Sequence, residues 1–176
     1  KKIAIIGTSG SGKTTLAQNL SKLLKIKSYE IDNLYWLPNW QHVELDLLRK
    51  KVKSVTDNKQ WIICGNYSKL RDITLEKADT IIWLDFPIVL VLYRNLMRAF
   101  RRIFSQEIIC NGNYETLAKT FFSKDSILLW ALTTHWKHKR VYPALFCEDT
   151  YKKKNILKFS SKEELGCWVR TLSKTR

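Results

Sequence analysis

A run of eight residues near the start of the chain, GTSGSGKT from Gly7 to Thr14, limits the fold more than any other feature. Its spacing is a glycine, four residues, and then Gly-Lys-Thr. A short β-branched, apolar run at residues 2–6 precedes it, and a helical pattern of leucines follows from Lys13. A strand, this spacing and a helix are together the context that a phosphate-binding loop requires. The sequence therefore predicts a P-loop that binds a nucleoside triphosphate.

Each position of this loop has a physical role. Glycines allow the backbone to turn tightly around an anion, and successive N–H groups then point inward as donors. The lysine reaches the β- and γ-phosphates, and the threonine hydroxyl of Thr14 is the predicted protein ligand of Mg²⁺. ATP and Mg²⁺ are thus the predicted cofactors. The residues assigned to the nucleotide are Gly7, Ser9, Gly10, Ser11, Gly12, Lys13, Thr14 and Thr15.

The rest of the chain alternates strand and helix patterns, which predicts an α/β fold with a parallel sheet covered on both faces. We find no internal repeat and no linker, so we expect one domain over residues 1–176. The predicted strands cover residues 2–6, 28–31, 61–65, 80–86 and 155–160. The predicted helices cover residues 13–24, 43–55, 70–78, 87–104, 117–138 and 161–172, the last with a capping box.

The charge of the chain is strongly basic, with 31 Lys and Arg against 16 Asp and Glu, a formal net charge of +15. Such a surface attracts polyanions. We favour a phosphate-handling enzyme, with nucleic acid as an open second partner. No apolar stretch is long enough to span a bilayer, and we expect no membrane partner. The four cysteines match no zinc pattern and are predicted to be reduced, buried thiols. We therefore expect a cytoplasmic location, and the oligomeric state stays open.

The segment IDNLYWLPNW, residues 31–40, follows the second predicted strand. Asp32 is predicted to end that strand, where a carboxylate can orient an acceptor hydroxyl and take its proton; turn chemistry explains it equally well. Tyr35, Trp36 and Trp40 form either a stacking wall for a ring-bearing acceptor or a plug into the core. Arg71, further along, is a candidate contact for an anionic acceptor.

The long predicted helix at residues 87–104 carries arginines at helical spacing, namely Arg94, Arg98, Arg101 and Arg102. Arginines can neutralise the charge that develops on a transferred phosphoryl group, whereas a solvated basic face is the alternative. His135 and His138 lie one turn apart on a later helix. A metal pair is conceivable there, but a basic helix end explains them better.

Five stretches of the chain together resemble adenylate-kinase-like P-loop kinases, and more closely the bacterial "DNA topology modulation protein" family. They are IAIIGTSGSGKTTLA, IDNLYWLPNW, WIICGNYS, ADTIIWLDFP and LYRNLMRAFRR. The resemblance implies a three-layer α/β/α fold, a five-stranded parallel sheet in the order 2-3-1-4-5, and a small helical lid at about residues 98–140. It also favours Asp32 as a catalytic residue, Arg94 and Arg98 as phosphate contacts, and Asn66 and Tyr67 as acceptor contacts.

One position departs from the related kinases, which carry an Asp before the glycine at the end of the third strand. Here the residue is Cys64, and a thiol is a poor partner for Mg²⁺. Either Thr14 and the phosphates hold the metal alone, or another carboxylate substitutes, or the enzyme is slow. Asp85, at the end of the fourth strand, is a weak candidate for that carboxylate.

These features predict an ATP-dependent phosphotransferase that acts on a small-molecule acceptor, with a nucleoside or nucleotide favoured by the aromatic residues. Two alternatives stay open. The basic charge and the family resemblance suit a nucleic-acid-associated ATPase that affects DNA topology. The cysteine at the metal position suits a nucleotide-binding protein with little catalysis.

Overall fold

Five parallel strands form the central sheet in the computed structural model, which describes residues 1–114 and 127–174. The strands are β1 (Lys2–Gly7), β2 (Ser28–Glu30), β3 (Trp61–Cys64), β4 (Thr80–Leu84) and β5 (Asn155–Phe159). Their order across the sheet is β2-β3-β1-β4-β5, and every pair is parallel. This confirms the predicted strand order, and it places the carboxyl end of the central strand between those of β3 and β4.

Helices pack on both faces of this sheet, as the alternating pattern predicts. They are α1 (Lys13–Leu24), α2 (Ile31–Tyr35), α3 (Leu45–Thr56), α4 (Arg71–Thr74), α5 (Ile88–Ser105), α6 (Ile127–Phe146), α7 (Asp149–Lys152) and α8 (Lys162–Lys174). The capping box of α8 is formed, because the Glu164 N–H donates to Ser161 Oγ at 3.2 Å and the carboxylate of Glu164 accepts from the Ser161 N–H.

The core lies in two layers because successive side chains of a strand point to opposite faces. On β1, Ala4 and Ile6 face the layer of α3, α4, α6 and α7, whereas Ile3 and Ile5 face the layer of α1, α5 and α8. All four of these side chains are buried. Burial on both faces explains why the strand reads as a continuous apolar run rather than an alternating one.

Two expectations about local structure are wrong. The second strand ends at Glu30, so Asp32 lies in the first turn of α2 rather than at the end of β2. Helix α6 continues past His138 to Phe146, through an internal Pro143. Its last turns are held by packing, since the ring centres of Phe146 and Trp83 are 6.1 Å apart. Tertiary packing contributes most of a helix's stability. Residues 117–126 of the predicted helix lie outside the described residues.

The cysteines differ from the prediction as well. Cys64 is buried in the sheet, Cys110 is half-buried, and Cys147 and Cys167 are exposed. All four are free thiols, as expected. Within the two described ranges, no helix combines the length and apolar character needed to cross a membrane.

Candidate active site

The P-loop joins β1 to α1 in a conformation that only glycine adopts easily. Gly10 has φ = +83° and Gly12 has φ = +93°. A Cβ atom on Gly10 would lie 2.6 Å from Asn95 Nδ2, so the glycine also allows α5 to approach the loop. No side chain in the described part of the chain caps α1, and its first turn carries no acidic residue. The N–H groups at this helix start are therefore directed at the loop, where an anion is favoured.

Helix α5 holds the outer side of the loop with polar side chains. Asn95 is fully buried and donates from Nδ2 to the Ser9 carbonyl at 2.9 Å. Arg98 donates to Ser9 Oγ at 3.3 Å and to Asn95 Oδ1 at 2.7 Å. Arg94 reaches the Ser11 carbonyl at 3.4 Å, and burial lowers the pKa of its guanidinium. The structure thus brings both predicted arginines to the P-loop, together with an asparagine that the sequence analysis missed.

The inner side of the loop is tied to the segment after β3. The Gly7 N–H donates to Asn66 Oδ1 at 3.1 Å, and Asn66 Nδ2 donates back to the Gly7 carbonyl. Both ends of this amide are used by the loop itself. Lys13 Nζ donates to the Thr8 carbonyl at 2.9 Å. Burial lowers the pKa of Lys13, and the nearby carboxylate of Asp32 opposes that shift.

A carboxylate that the sequence analysis did not assign lies beside the predicted metal ligand. Thr14 Oγ1 donates to Glu30 Oε2 at 3.1 Å. Glu30 is the last residue of β2 and is paired in register with Cys64 on β3. Burial and the charge of Glu30 raise the pKa of the Cys64 thiol to about 12, so the thiol is neutral at physiological pH. The available sequence signal was the Glu30-x-Asp32 pattern at the carboxyl end of a strand.

The donor set of Thr14 and Glu30 fits Mg²⁺, because hard cations prefer oxygen ligands. Mg²⁺ usually keeps several waters and takes one or two protein oxygens plus the phosphates of its nucleotide. No cluster of three or more His, Cys, Asp or Glu residues that could hold a metal occurs among residues 1–114 and 127–174. His135 and His138 accordingly form no such cluster within these ranges.

Asp32 lies two residues beyond Glu30, in the first turn of α2, at the same edge of the sheet. The Tyr67 hydroxyl donates to Asp32 Oδ1 at 2.7 Å. Burial, followed by the charge of this carboxylate, raises the pKa of Tyr67. The Tyr67 ring meets the Tyr35 ring edge-on at 5.2 Å. Asp32 is itself exposed, so its second carboxylate oxygen is accessible from solvent.

Aromatic side chains continue along residues 33–42, which we call the aromatic loop. The centre of the Tyr35 ring lies 4.8 Å from that of Trp36 and 5.5 Å from that of His42, on which it stacks. The ring centres of Trp36 and Trp40 are 5.4 Å apart. Tyr35, Trp36 and Trp40 are only half-buried. They form a connected row beside Asp32, and the Tyr35 end of this row also packs against the hydrophobic core.

Arg71 begins α4 and lies against α6, with its guanidinium 5.7 Å from the centre of the Tyr142 ring. Among the described residues, no carboxylate lies within salt-bridge distance of it. The His138 ring also stacks on Tyr142, with the two ring centres 4.9 Å apart. Burial, and then the charges of Lys13 and Arg71, lower the pKa of His138 to about 4.

Other polar residues singled out in the sequence have structural partners. The Asp85 side chain is 8% exposed and forms an ion pair with Lys158 at 2.9 Å, which makes it unsuited to replace a metal ligand beside Thr14. Arg101 and Arg102 face Glu107 at 3.1 and 3.7 Å rather than the P-loop. His135 is buried, with Nδ1 3.5 Å from Thr8 Oγ1. Of the predicted lid, residues 115–126 lie outside the described part of the chain.

Comparison with known sequences gives one informative relative. The chain is 31% identical over 159 residues to the uncharacterized protein YqaC of Bacillus subtilis (strain 168), an alignment that covers 85% of this chain and 89% of that protein. No protein-family model matches the chain.

Comparison with solved structures finds small-molecule kinases of the P-loop type. The shikimate kinase of Bacteroides thetaiotaomicron matches with a TM-score of 0.57 and 13% identity, over 99% of this chain and 97% of that one. The shikimate kinase of Aquifex aeolicus matches with a TM-score of 0.53 and 15% identity, over 99% of this chain and 95% of that one. A gluconokinase of Sinorhizobium meliloti matches with a TM-score of 0.52 and 14% identity, over 98% of this chain and 89% of that one. At these identities the likeness establishes a kinase-like P-loop fold.

Proposed function

The chain belongs to the family of Bacillus subtilis YqaC, and we propose that it transfers the γ-phosphoryl group of ATP to a hydroxyl of a small-molecule acceptor. The observation that carries this proposal is the grouping of Lys13, Thr14, Glu30 and Asp32 at one edge of the sheet. A cation, a metal-ligand pair and a carboxylate base are the groups that phosphoryl transfer needs. The kinase-like fold shared with the similar solved structures supports the same proposal.

In this proposal the nucleotide side binds and neutralises the triphosphate. The N–H groups from Ser9 to Thr14 hold the β-phosphate, and Lys13 exchanges the Thr8 carbonyl for the β- and γ-phosphate oxygens. Thr14 and Glu30 would hold Mg²⁺, which neutralises phosphate charge when bound. Because Glu30 supplies an oxygen ligand, the neutral thiol of Cys64 does not by itself imply an inactive enzyme.

The acceptor side orients the nucleophile. Tyr67 occupies one oxygen of Asp32, which leaves the other to accept a hydrogen bond from the acceptor hydroxyl. Asp32 then takes the hydroxyl proton as the oxygen attacks the γ-phosphorus, while the bond from that phosphorus to the β–γ bridging oxygen breaks and ADP leaves with the bridging oxygen. We assign Tyr35, Trp36, Asn66, Tyr67 and Arg71 to acceptor binding, although the Asn66 amide also supports the loop at Gly7.

Arg94 and Arg98 complete the transition-state site. Their guanidinium groups already lie on the loop, donating to a carbonyl and a hydroxyl. Guanidinium groups bind phosphate more strongly than they bind neutral acceptors, so both would turn to the triphosphate. We propose that about residues 98–140 act as the lid that excludes water, with residues 115–126 of it outside the described part.

The class of acceptor follows from the two ends of its site. The row of half-buried aromatic rings suits a ring-bearing compound such as a nucleoside or nucleotide. The cationic Arg71 suits an acceptor with an acidic group. Shikimate and gluconate, which the names of the solved relatives mention, are hydroxy acids and belong in the same test.

The deciding experiment follows the label of γ-³²P-ATP with Mg²⁺ in the presence of nucleosides, nucleoside monophosphates, polyhydroxy acids and water alone. We expect the label on one class of small acceptor, and we expect Lys13→Ala to reduce transfer by about 10³-fold. The matched control is Lys22→Ala, an exposed lysine at the other end of α1. Label that remains on ATP with every acceptor class, or passes only to water, contradicts the proposal.

A second function, an ATPase associated with nucleic acid, is favoured by the formal net charge of +15 and by the likeness to DNA topology modulation proteins. It predicts label release to water that DNA or RNA accelerates and that salt suppresses. The same experiment separates the two functions when DNA is added as a further arm.

We also propose an adenylate-kinase-like mechanism. We further propose a cytoplasmic location, which the free thiols support.

A further inference from the structure

Two asparagines after α5 bind the aromatic loop across a long sequence separation. Asn113 is 2% exposed, although the residues on either side of it are exposed. Its Oδ1 accepts from the Trp40 N–H at 2.6 Å, and its Nδ2 donates to the Leu37 carbonyl at 2.9 Å. Asn111 Nδ2 donates to the carbonyls of Asn33 at 2.9 Å and Trp36 at 2.7 Å.

These asparagines belong to a small hairpin at residues 109–113, which we call the asparagine clasp. Its ends are joined because the N–H groups of Ile109 and Asn113 each donate to the other residue's carbonyl at 2.8 Å. Asn113 Nδ2 also donates to the Cys110 carbonyl inside the hairpin. One amide thus holds the clasp in shape and attaches it to the aromatic loop, so the two segments move together.

The other end of the clasp is fixed to α5. Glu107 pairs with Arg101 and Arg102, and its N–H donates to the Arg102 carbonyl at 3.1 Å. The preceding turns of the same helix carry Arg94 and Arg98, which contact the P-loop. A continuous path of hydrogen bonds and ion pairs therefore runs from the P-loop, along α5, through the clasp, to the residue that follows Asp32.

We propose that Asn113 is a positioning residue through which nucleotide binding at the P-loop orders the aromatic loop and Asp32 for the acceptor. This inference rests on the proposed function, because a triphosphate must draw Arg94 and Arg98 to itself for the path to be used. Asn111 supports the same link at the backbone next to Asp32. Nucleotide binding thereby holds the aromatic loop more firmly in the position that the acceptor needs.

The test uses the full chain with Mg·AMP-PNP, a non-hydrolysable ATP analogue, and measures amide hydrogen exchange in residues 7–15 and 33–42. In the wild type we expect the analogue to slow exchange in both segments, by about fivefold or more in the aromatic loop, as for a modest allosteric coupling. In Asn113→Ala the P-loop should still be protected by the analogue, whereas the aromatic loop should no longer respond.

Two further variants keep the result interpretable. Asn58→Ala removes an asparagine amide that bonds the Ser54 carbonyl at the end of α3, away from the site, and should behave as the wild type. Asn111→Ala removes the second link and should also weaken the response of the aromatic loop to the analogue. It therefore provides the test if Asn113→Ala does not fold. If Asn113 had a purely structural role, Asn113→Ala would change exchange in residues 33–42 by the same factor with and without the analogue.

The outcomes separate the two proposals. If the analogue protects the wild-type P-loop but leaves residues 33–42 unchanged, or if both clasp variants keep the full response, the positioning role is overturned while nucleotide binding stands. If neither segment responds in the wild type, nucleotide binding itself fails, and the positioning role fails with it.

Discussion

The proposed nucleotide side and the proposed acceptor side of the site are built in different ways. On the nucleotide side, the backbone donors and the lysine proposed to bind phosphate lie in one contiguous loop, residues 7–15, whose backbone conformation is set by glycines at positive φ. Glu30, Arg94 and Arg98 add to this loop from β2 and α5. The acceptor side is assembled from separate segments. Asp32 comes from α2, Tyr67 from the turn after β3, and Arg71 from α4, and the aromatic loop is held by Asn113 from beyond α5.

This difference implies different sensitivities. A contiguous loop with backbone donors depends on few side chains, and Lys13 carries most of its side-chain chemistry. An assembled site depends on contacts between residues far apart in sequence, such as Tyr67 with Asp32. Variants on the nucleotide side should therefore reduce ATP binding and transfer together, whereas variants on the acceptor side should reduce transfer and leave ATP binding intact.

The largest effect is expected from Lys13→Ala. The ammonium group lies inside the loop, and no other side chain of the described loop residues offers a cation to the β- and γ-phosphates. Loss of such a preorganised donor costs about 10³-fold in rate, and here ATP affinity should fall as well. Label transfer and ATP titration measured on the same protein check both changes.

Lys22→Ala is the matched control, since it removes an equal charge from the same helix without touching the loop. Retention of the wild-type ATP affinity by Lys13→Ala would break the comparison, because the contiguous loop would then not depend on its lysine.

Asp32→Asn should reduce transfer by about 10²-fold, the usual contribution of a positioned general base. The amide oxygen can still accept from the Tyr67 hydroxyl, so the local structure is retained. ATP affinity should be unchanged, which is the pattern that defines the acceptor side. Asp46→Asn, an exposed aspartate in the first turn of α3, is the control. An equal loss of ATP affinity in Asp32→Asn would place this carboxylate on the nucleotide side instead.

The same division explains what could be predicted from the sequence. The P-loop and α1 were predictable because a local pattern determines them, and the predicted bounds of α1 agree with Lys13–Leu24. The strand order came from a resemblance and is confirmed by the sheet. Asn95 was missed because a lone asparagine among arginines gives no local signal. Its position four residues after Val91 and four before Ala99, both buried, was the available hint.

The acceptor side was less predictable because its contacts are not local. Nothing near Asn113 in the sequence indicates that its amide binds Trp40, 73 residues earlier. The predicted strand over residues 28–31 extends one residue beyond β2, since Ile31 continues the apolar strand pattern while its backbone is already helical. That shift hid Glu30 as the residue at the strand end, although it lies directly opposite Cys64.

Glu30→Gln tests the residue that lies between the two sides. Because Thr14 and Glu30 are the proposed metal ligands, the Mg²⁺ concentration for half-maximal transfer should rise about tenfold, within the usual range for loss of a group that supports a metal. Cys64→Ser is the matched variant, since it exchanges a neutral thiol for a neutral hydroxyl. With the pKa of the thiol raised to about 12, this substitution should leave the Mg²⁺ dependence unchanged. A larger change in Cys64→Ser than in Glu30→Gln would return the metal role to the end of β3.

The smallest effect on transfer is expected from His138→Phe, which should act on stability instead. The pKa of His138 is about 4 in the folded chain, chiefly because of burial, against about 6.5 in an unfolded chain. The unfolded state therefore binds more protons between these values, and stability falls as the pH decreases through this window. Between pH 7 and pH 5 the wild type should lose about 1–2 kcal/mol more of its unfolding free energy than the variant. Phe keeps the stacking on Tyr142, so urea unfolding of both proteins at the two pH values isolates the titration of the imidazole. An equal loss in both proteins would show that His138 is protonated alike in the folded and unfolded chains.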